Sequence, residues 1–312
     1  MTRLGKNPAI PMRQGVSPSC VALPRMKNPP WPTLLEYLAE RLPVVSRVGW
    51  LARLDAHQVV GDDGQALPSH TPYQGGLRAY YWRDLPQEPD IPFHANVVHQ
   101  DEHLVVADKP HFLPVTPGGR YVQQTLLVRL KQELQLPNLS PLHRIDRETA
   151  GLVVFSVRPQ DRNAYQGLFR DRRVHKTYEA IGALRADLPL PTVHRSHLLE
   201  DENAFYRMRE ARPADGLACN SETRISLLAQ HGVWGLYQLE PVTGKRHQLR
   251  VHMNALGLPL VGDQFYPTVK RQPGEVEDFS QTLRLLARQV AFTDPITGQE
   301  RVFTSTRTLD WP

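Results

Sequence analysis

The apolar stretch Gly151–Val157 constrains the fold of this 312-residue chain more than any other segment. It is apolar at nearly every position, which is typical of a strand that is buried inside a sheet. A dense polar cluster, His143–Ala150, runs directly into it. Other strand-like segments, such as His175–Leu184 and Val233–Glu240, follow without regular alternation of strand and helix. This pattern predicts an α+β fold with a mixed sheet rather than a doubly wound one.

Three regions follow one another along the chain. Residues 1–30 are rich in Pro, Lys and Arg and lack apolar periodicity, which predicts a basic, partly disordered arm. Residues 31–86 predict a small α–α–β unit, in which Thr33 caps the first helix and the second spans residues 44–54. Residues 87–312 are predicted to form one larger, strand-rich domain. The arginines predicted for the helices of the small unit are Arg41, Arg47 and Arg53.

Composition excludes several classes of protein. No apolar run approaches the length of a membrane-spanning helix, and the first residues contain no apolar stretch of the secretory type, so we expect a cytoplasmic protein. Two distant cysteines, Cys20 and Cys219, exclude a disulfide scaffold and a cysteine-based metal cluster. The 37 Lys and Arg residues exceed the 32 Asp and Glu residues, giving a formal charge of +5. This excess fits a polyanionic partner such as RNA.

The polar cluster before the buried strand contains the first candidate catalytic group. Asp146 lies between Arg144 and Arg147 in the sequence HRIDRETAGLVVFS. If the loop is buried, the neighbouring cations hold the carboxylate ionised, and an ionised, oriented carboxylate can attack a sugar carbon. The alternative is a surface loop whose charges are solvated, and the segment alone favours that alternative slightly.

The segment Thr243–Met253, TGKRHQLRVHM, is the second candidate. Its alternating pattern predicts either a strand or the beginning of an amphipathic helix with Arg250 on the polar side. Arg250 could pair with a buried acid or with a phosphate, or belong to a solvated basic stripe. His247 and His252 are five residues apart, which does not match the helical zinc pattern, so we predict no metal site from them.

The segment Arg172–Ala180, RRVHKTYEA, is the third. Tyr178 follows a run of basic residues and could stack on a nucleobase while Lys176 and Arg173 contact phosphates, or it could simply be a core side chain. The fourth, Asp108–Tyr121, contains two X-Pro kinks and a Gly-Gly turn that could line a cleft. The chain has no Walker loop, no GxSxG elbow and no Rossmann fingerprint, so we expect an enzyme without nucleotide cofactor or metal.

Taken in order, these motifs resemble a known family. The series DKP, HRIDRETAGLVVFS, KTYEA, EPVTGKRHQLRVHM and GLPLVGDQFY resembles the RluA-type RNA pseudouridine synthases over roughly residues 95–305. The resemblance implies a catalytic domain, 87–312, with a mixed, mostly antiparallel central sheet and a cleft, and no cofactor. Residues 31–86 resemble, more loosely, the small α-L-like RNA-binding domain that often precedes it. A monomer acting on ribosomal RNA, or next on transfer RNA, is the corresponding expectation.

The resemblance also implies roles for individual residues. Asp146 matches the catalytic aspartate, and Tyr178 matches the tyrosine that packs on the uracil and is implicated in taking its C5 proton. Arg250 matches the basic residue that pairs with the aspartate, and Arg144 matches an arginine that reaches into the RNA. The complete set of predicted RNA-binding residues is Arg144, Arg147, Lys176, Lys245, Arg246, His247 and Gln248.

The chain departs from the family pattern at several positions. Ala150 precedes Gly151 where the family often has Ser, and His111-Phe112 replaces the usual small pair. Leu286 and Asp294 occupy places where the family commonly has histidine. Two other functions stay open at this point: a catalytically silent RNA-binding or chaperone-like protein, and a hydrolase of N-glycosidic bonds. The hydrolase needs a second carboxylate to activate water, for which Glu148 is the nearby candidate.

Overall fold

The computed structural model describes residues 7, 10–83, 88–202, 204–270, 275 and 278–312. The chain divides into two compact units. The first comprises Met1–Pro89, Gly118–Gln123 and Gln132–Pro137, and the second comprises Asp90–Pro117, Gln124–Lys131 and Asn138–Pro312. No helix among the described residues is both long enough and apolar enough to span a bilayer.

The first unit packs two helices with a small antiparallel sheet. Thr33 caps helix α1 because its hydroxyl accepts a hydrogen bond from the backbone N–H of Glu36, and Ser46 caps α2 in the same way. The sheet has the strand order β1–β3–β2. Its core contains apolar residues of both helices, among them Trp50 of α2, together with Leu23, Trp31, Val59 and Ala79. The elements are β1 (Ser19–Ala22), α1 (Leu34–Arg41), α2 (Arg47–Asp55), β2 (Val59–Val60) and β3 (Arg78–Tyr81).

The region predicted as a basic arm contributes to this unit. Strand β1, Ser19–Ala22, pairs with β3, and Ile10, Val16 and Leu23 are buried. From residue 10 onward this region is therefore ordered and partly in the core, which corrects the prediction of an extended arm. A four-residue strand flanked by prolines has too little alternation to be recognised from the sequence. Residues 1–6, 8 and 9 lie outside the described residues.

From residue 96 onward the chain is dominated by strands. Four pairs of consecutive strands are connected by turns of three residues or fewer, and helices α3 to α5 lie in the longer connections. The elements are β4 (Asn96–Gln100), β5 (Leu104–Lys109), α3 (Leu126–Glu133), β6 (Ser140–Pro141), β7 (Ala150–Ser156), α4 (Arg162–Arg170), β8 (His175–Ala183), β9 (Thr192–Ser196), β10 (Leu198–Asp201), β11 (Ala204–Glu210), β12 (Ser221–His231), β13 (Trp234–Pro241), α5 (Gln248–Ala255), β14 (Leu285–Thr293) and β15 (Glu300–Thr304).

Ten of these strands form one mixed sheet. Its central order is β4-β5-β7-β14-β8-β13-β12-β9, with β15 paired to β14 and β6 paired to β7. Among the described strands of this sheet, β7 and β14 form the single parallel pair. Strands β10 and β11 form a separate two-stranded sheet. The prediction of an α+β fold with a mixed, mostly antiparallel sheet is confirmed.

Strand β7 lies in the centre of the core. All seven of its residues are buried, as the apolar sequence predicts. One face packs through Leu152 and Val154 against Tyr165 and Leu168 of helix α4. Burial on both faces fixes the register of this strand, because a shift by one residue would bring different side chains to each face. The polar loop that precedes β7 is therefore held in a defined position.

Gly151 allows β7 and β14 to approach each other closely. Its φ angle is +108°, and a Cβ atom added there would lie 2.3 Å from the carbonyl oxygen of Ala287. We expect Gly151→Ala to lower the free energy of unfolding by at least about 3 kcal/mol, because it combines backbone strain with a clash against main chain. Urea titration of the purified variant measures this.

Gly298→Ala is the matched control for this prediction. Gly298 also has a positive φ, +73°, but no described atom lies within 4 Å of an added Cβ. It should therefore show backbone strain alone, about 1 kcal/mol. Equal stabilities of the two variants would contradict the proposed steric role of Gly151.

Candidate active site

A cleft of about 830 Å³ opens in the second unit. The loop 143–149 before β7 lines it, together with residues 241–250 between β13 and α5 and side chains of β8. All the site residues predicted from the sequence line this cleft, namely Asp146, Tyr178, Arg250, Arg144, Arg147, Lys176, Lys245, Arg246, His247 and Gln248. The fold thus brings together three segments that are far apart in the sequence.

Asp146 lies near two basic side chains in this cleft. Its Oδ2 atom is 3.4 Å from Nη1 of Arg250 and 3.9 Å from Nε2 of His247. The Asp146 side chain is 25% exposed, so it remains accessible from the cleft. The solvated surface loop considered from the sequence is therefore not the observed arrangement.

Arg250 is buried, with 1% of its side chain exposed. Its stronger partner is Asp263, because Nε and Nη2 donate to the two carboxylate oxygens at 2.8 and 2.6 Å. The guanidinium also lies over the ring of Phe265, with 5.2 Å between its central carbon and the ring centroid. Asp263 fixes the guanidinium plane, and the remaining nitrogen, Nη1, faces Asp146.

Asp263 is a site residue that the sequence analysis missed. It lies in the segment GLPLVGDQFY, which was recognised as a motif but given no role. The signal available was a lone carboxylate inside an otherwise apolar segment, which in a buried position requires a cationic partner. Of the alternatives that the sequence leaves open for Arg250, pairing with a buried acid is the one observed.

Opposing effects set the charge of Asp146. Burial on its own raises the pKa of this carboxyl, but the positive charges of His247 and Arg250 outweigh burial and hold it below its ordinary value. Burial also lowers the pKa of His247, so Arg250 is the cation that persists at neutral pH. Asp146 is therefore ionised at neutral pH and faces a permanent positive charge.

Tyr178 lies on β8, opposite Ala287 of β14 and Leu239 of β13. Burial and, to a lesser degree, the negative charge of Asp146 raise the pKa of its phenol. The tyrosine therefore keeps its proton at neutral pH. In the cleft it offers an aromatic face and a hydroxyl rather than a ready base.

Gln248 holds the loop of the cleft in place. Its Oε1 atom accepts hydrogen bonds from the hydroxyl of Thr243 at 2.7 Å and the backbone N–H of Lys245 at 3.1 Å. Its Nε2 atom donates to the Glu222 carbonyl and to the Thr223 hydroxyl. With its amide engaged by protein atoms, Gln248 positions the loop, and its contact with RNA stays a prediction.

The predicted basic residues separate into two groups. Arg144, Lys245 and Arg246 are exposed at the cleft. Arg147 donates to Glu148 at 3.0 Å, and Lys176 donates to the Thr243 carbonyl at 3.3 Å. Arg147 and Lys176 therefore also stabilise the cleft wall, and Arg144 and Lys245 are the side chains more available to a ligand.

Lys109 supports the loop that carries Asp146. It is fully buried, and its Nζ atom donates to the backbone carbonyls of Arg147 and Pro110. Burial lowers its pKa to about 7, despite the opposing attraction of Glu148 and Asp146. Its motif, DKP, is part of the family resemblance, but the sequence alone assigns the lysine no role.

Three of the positions that depart from the family pattern are buried or bonded to other protein groups. Leu286 is buried in β14, and Asp294 accepts the Tyr165 hydroxyl and the backbone N–H of Ile296 at the turn after that strand. His111 bonds through Nδ1 to the Glu148 carbonyl. None of these three lines the cleft among the residues that the structure describes.

Comparison with known proteins shows the family to which this chain belongs. Residues 103–255 match the family described as RNA pseudouridylate synthase. The chain is 31% identical over 235 residues to an uncharacterised RNA pseudouridine synthase of Synechocystis, covering 75% of this chain and 79% of that protein. It is 31% identical over 225 residues to the dual-specificity RNA pseudouridine synthase RluA of Haemophilus influenzae, covering 69% of this chain and 94% of that protein. This chain belongs to the RluA-type family of RNA pseudouridine synthases.

Solved pseudouridine synthases share the fold. Human RNA pseudouridylate synthase domain containing 1 superposes with a TM-score of 0.55 at 20% identity, covering 71% of this chain and 86% of the human one. Human RNA pseudouridylate synthase domain containing 4 gives a TM-score of 0.53 at 27% identity, covering 69% and 88%. The resemblance inferred from the motifs is thereby confirmed for family and fold.

Proposed function

We propose that the protein isomerises a specific uridine of structured RNA to pseudouridine, with Asp146 as the catalytic residue. The observation that carries the proposal is the ion pair of Asp146 with buried Arg250 inside the 830 Å³ cleft. An ionised carboxylate beside a fixed cation, accessible from a cleft, suits chemistry at a sugar carbon. The family assignment points to the same reaction.

The reaction rearranges one nucleotide. The bond between the ribose C1′ and the uracil N1 breaks, the uracil rotates, and C1′ bonds to C5, which then releases its proton while N1 gains one. Asp146 either attacks the sugar or assists elimination from it, and both routes are compatible with this site. The overall isomerisation consumes no water. The target base must leave the helical stack to reach such a cleft.

The remaining cleft residues take supporting roles in this proposal. Tyr178 stacks on the displaced uracil. Because its pKa is raised in the free protein, removal of the C5 proton by Tyr178 requires that its own proton first pass to another group. Arg250 keeps Asp146 ionised. Glu148, the second carboxylate that a hydrolase would need, already pairs with Arg147, which gives that function no support.

Ribosomal RNA is the proposed substrate, and transfer RNA is the second choice. The exposed cations Arg144, Lys245 and Arg246 supply phosphate contacts at the cleft, and Arg144 is proposed to enter the RNA where the base is displaced. The first unit is proposed as an additional RNA-binding domain. In that unit Arg41, Arg47 and Arg53 are the candidates for phosphate contacts, and Arg47 also pairs with Glu36.

A pseudouridine map tests this function. Total RNA is mapped from cells that lack the protein and from the same cells rescued with wild-type protein or with Asp146→Asn. A site that is lost without the protein and restored by wild type alone supports the reaction and identifies the substrate. An unchanged map, together with retained RNA binding, would instead favour a catalytically silent RNA-binding protein.

RNA binding should depend steeply on salt, because neutralising phosphates releases counterions. We expect Lys245→Ala to weaken binding and to reduce the slope of log K against log salt by about 0.7 to 0.9, as one lost phosphate contact does. Fluorescence anisotropy between low and physiological salt measures both. Arg195→Ala is the control, since Arg195 lies on β9 and pairs with Glu222. Equal slopes for wild type and Lys245→Ala would refute the contact.

A further inference from the structure

Two histidines and a glutamate from three different elements of the second unit lie close together. They are His194 on β9, Glu210 on β11 and His252 on α5, and each offers one ligand atom within 4.8 Å of the others. Nε2 of His194 lies 2.7 Å from Oε1 of Glu210, and the two imidazole rings are 4.8 Å apart between centroids. The three residues are widely separated in sequence, so no local spacing motif reveals them.

We propose that His194, Glu210 and His252 form a binding site for one zinc ion. Two imidazole nitrogens with one carboxylate oxygen are a ligand set that zinc takes, with a fourth position for water. This site is distinct from the catalytic cleft, and the proposal does not depend on the reaction proposed above.

The surroundings of His252 suit a metal ligand. Its Nδ1 atom is bonded to the hydroxyl of Thr223 at 2.9 Å, which fixes the orientation of the ring. Hydrogen bonds of this kind to the second ring nitrogen are typical of metal-binding histidines. The Nε2 atom is hydrogen-bonded to the hydroxyls of Ser196 and Ser221 at 3.1 and 3.0 Å. Zinc replaces these two bonds at Nε2, and the hydroxyls are then available to a metal-bound water.

The geometry requires only a small adjustment. Zinc bonds of about 2.0–2.2 Å place tetrahedral ligand atoms about 3.4 Å apart. Nε2 of His194 and Oε1 of Glu210 therefore have to move apart, and the ligand atoms that are farther from each other have to approach by about an ångström. The side chains of His194 and Glu210 are 20% and 25% exposed and can rotate, whereas His252 is fully buried. The exposed side also gives the ion access from solvent.

Zinc at this site would connect three elements. Strand β9 lies at the edge of the large sheet, β11 belongs to the two-stranded sheet, and α5 is the helix that carries Arg250. A ligand that binds the folded state alone stabilises it in proportion to the logarithm of its concentration over Kd. Zinc should therefore raise the melting temperature of the full chain, by about 5 °C when it is present well above Kd.

Zinc sulfate alone, titrated into the metal-free full-length protein, tests the site. We expect one equivalent by calorimetry and by elemental analysis after dialysis, and at least 10-fold weaker binding in both His194→Ala and Glu210→Gln. These side chains are partly exposed, so the variants should remain folded, and their melting temperatures without zinc check this. Cys219→Ser and His197→Ala are the controls, because each removes a neighbouring zinc-binding side chain outside the proposed set.

Three results would overturn the proposal. They are the absence of saturable binding below about 100 µM zinc, binding that persists in His194→Ala and Glu210→Gln, and binding that is lost in Cys219→Ser. The last two would identify adventitious ligands, and the first would leave the cluster as a hydrogen-bonded network.

Discussion

Replacing Asp146 with Asn is expected to abolish pseudouridine formation, lowering turnover by at least about 10⁴-fold, the scale on which loss of a catalytic nucleophile acts. Asparagine has nearly the same shape but cannot carry the negative charge that Arg250 and His247 face in the cleft. RNA affinity should stay within a few-fold of wild type, because phosphate contacts dominate it. Single-turnover assays on the mapped RNA, paired with anisotropy binding, measure the two quantities.

Asp171→Asn is the matched control for this variant. It makes the same chemical change and removes the same charge from an exposed loop after α4, where Asp171 pairs with Arg170. Turnover by this control should stay near the wild-type value. Substantial turnover by Asp146→Asn would exclude Asp146 as the catalytic residue, and loss of RNA binding together with turnover would indicate a damaged cleft instead.

The sequence predicted those parts of the molecule that depend on local pattern. The apolar run around β7, the Thr33 cap of α1 and the strand beginning near His175 are each determined by neighbouring residues. Boundaries were less accurate. The second helix of the small unit is predicted for residues 44–54 but spans Arg47–Asp55, because its N-cap, Ser46, lies inside the predicted range and apolar periodicity alone does not mark where a helix begins.

Pairs of side chains that meet only through the tertiary fold could not be predicted in this way. Asp263 is 13 residues from Arg250 and joined to it by a turn after α5, and nothing in the local pattern of either residue shows that they pair. Gln248 lies among basic residues in the sequence, and nothing in that pattern shows that its amide bonds four protein groups. The motif predicted which residues reach the cleft, and only the fold distinguishes those that face it from those that support it.

Replacing Arg250 with Met is expected to have the second large effect, on the free energy of unfolding and on the pH dependence of turnover. Removing one partner of a buried ion pair leaves Asp263 uncompensated, which should lower the free energy of unfolding by about 3–5 kcal/mol. Turnover at pH 7 should fall by about 10²-fold, the kinetic equivalent of about 3 kcal/mol. Urea titration measures the first effect, and single-turnover rates measure the second.

The pH profile separates the electrostatic role of Arg250 from a purely structural one. In the wild type the pKa of Asp146 is held below its ordinary value, so the carboxylate is ionised throughout pH 6 to 8 and its titration adds no pH dependence to turnover there. Without Arg250 both the charge and the hydrogen bond that this residue supplies against burial are lost, so the pKa of Asp146 rises. The variant should then lose turnover as pH falls through the raised pKa and recover part of it as pH increases.

The double variant Arg250→Met/Asp263→Asn completes this argument. Asparagine at 263 keeps an oxygen for the backbone N–H groups of Phe265 and Tyr266, which Asp263 Oδ1 accepts at 2.8 and 3.1 Å, while it removes the unpaired charge. Most of the lost stability should therefore return. The shifted pH profile should remain, because Asp146 still lacks Arg250. If stability and the wild-type profile return together, Arg250 acts only by holding the fold, and the electrostatic assignment is wrong.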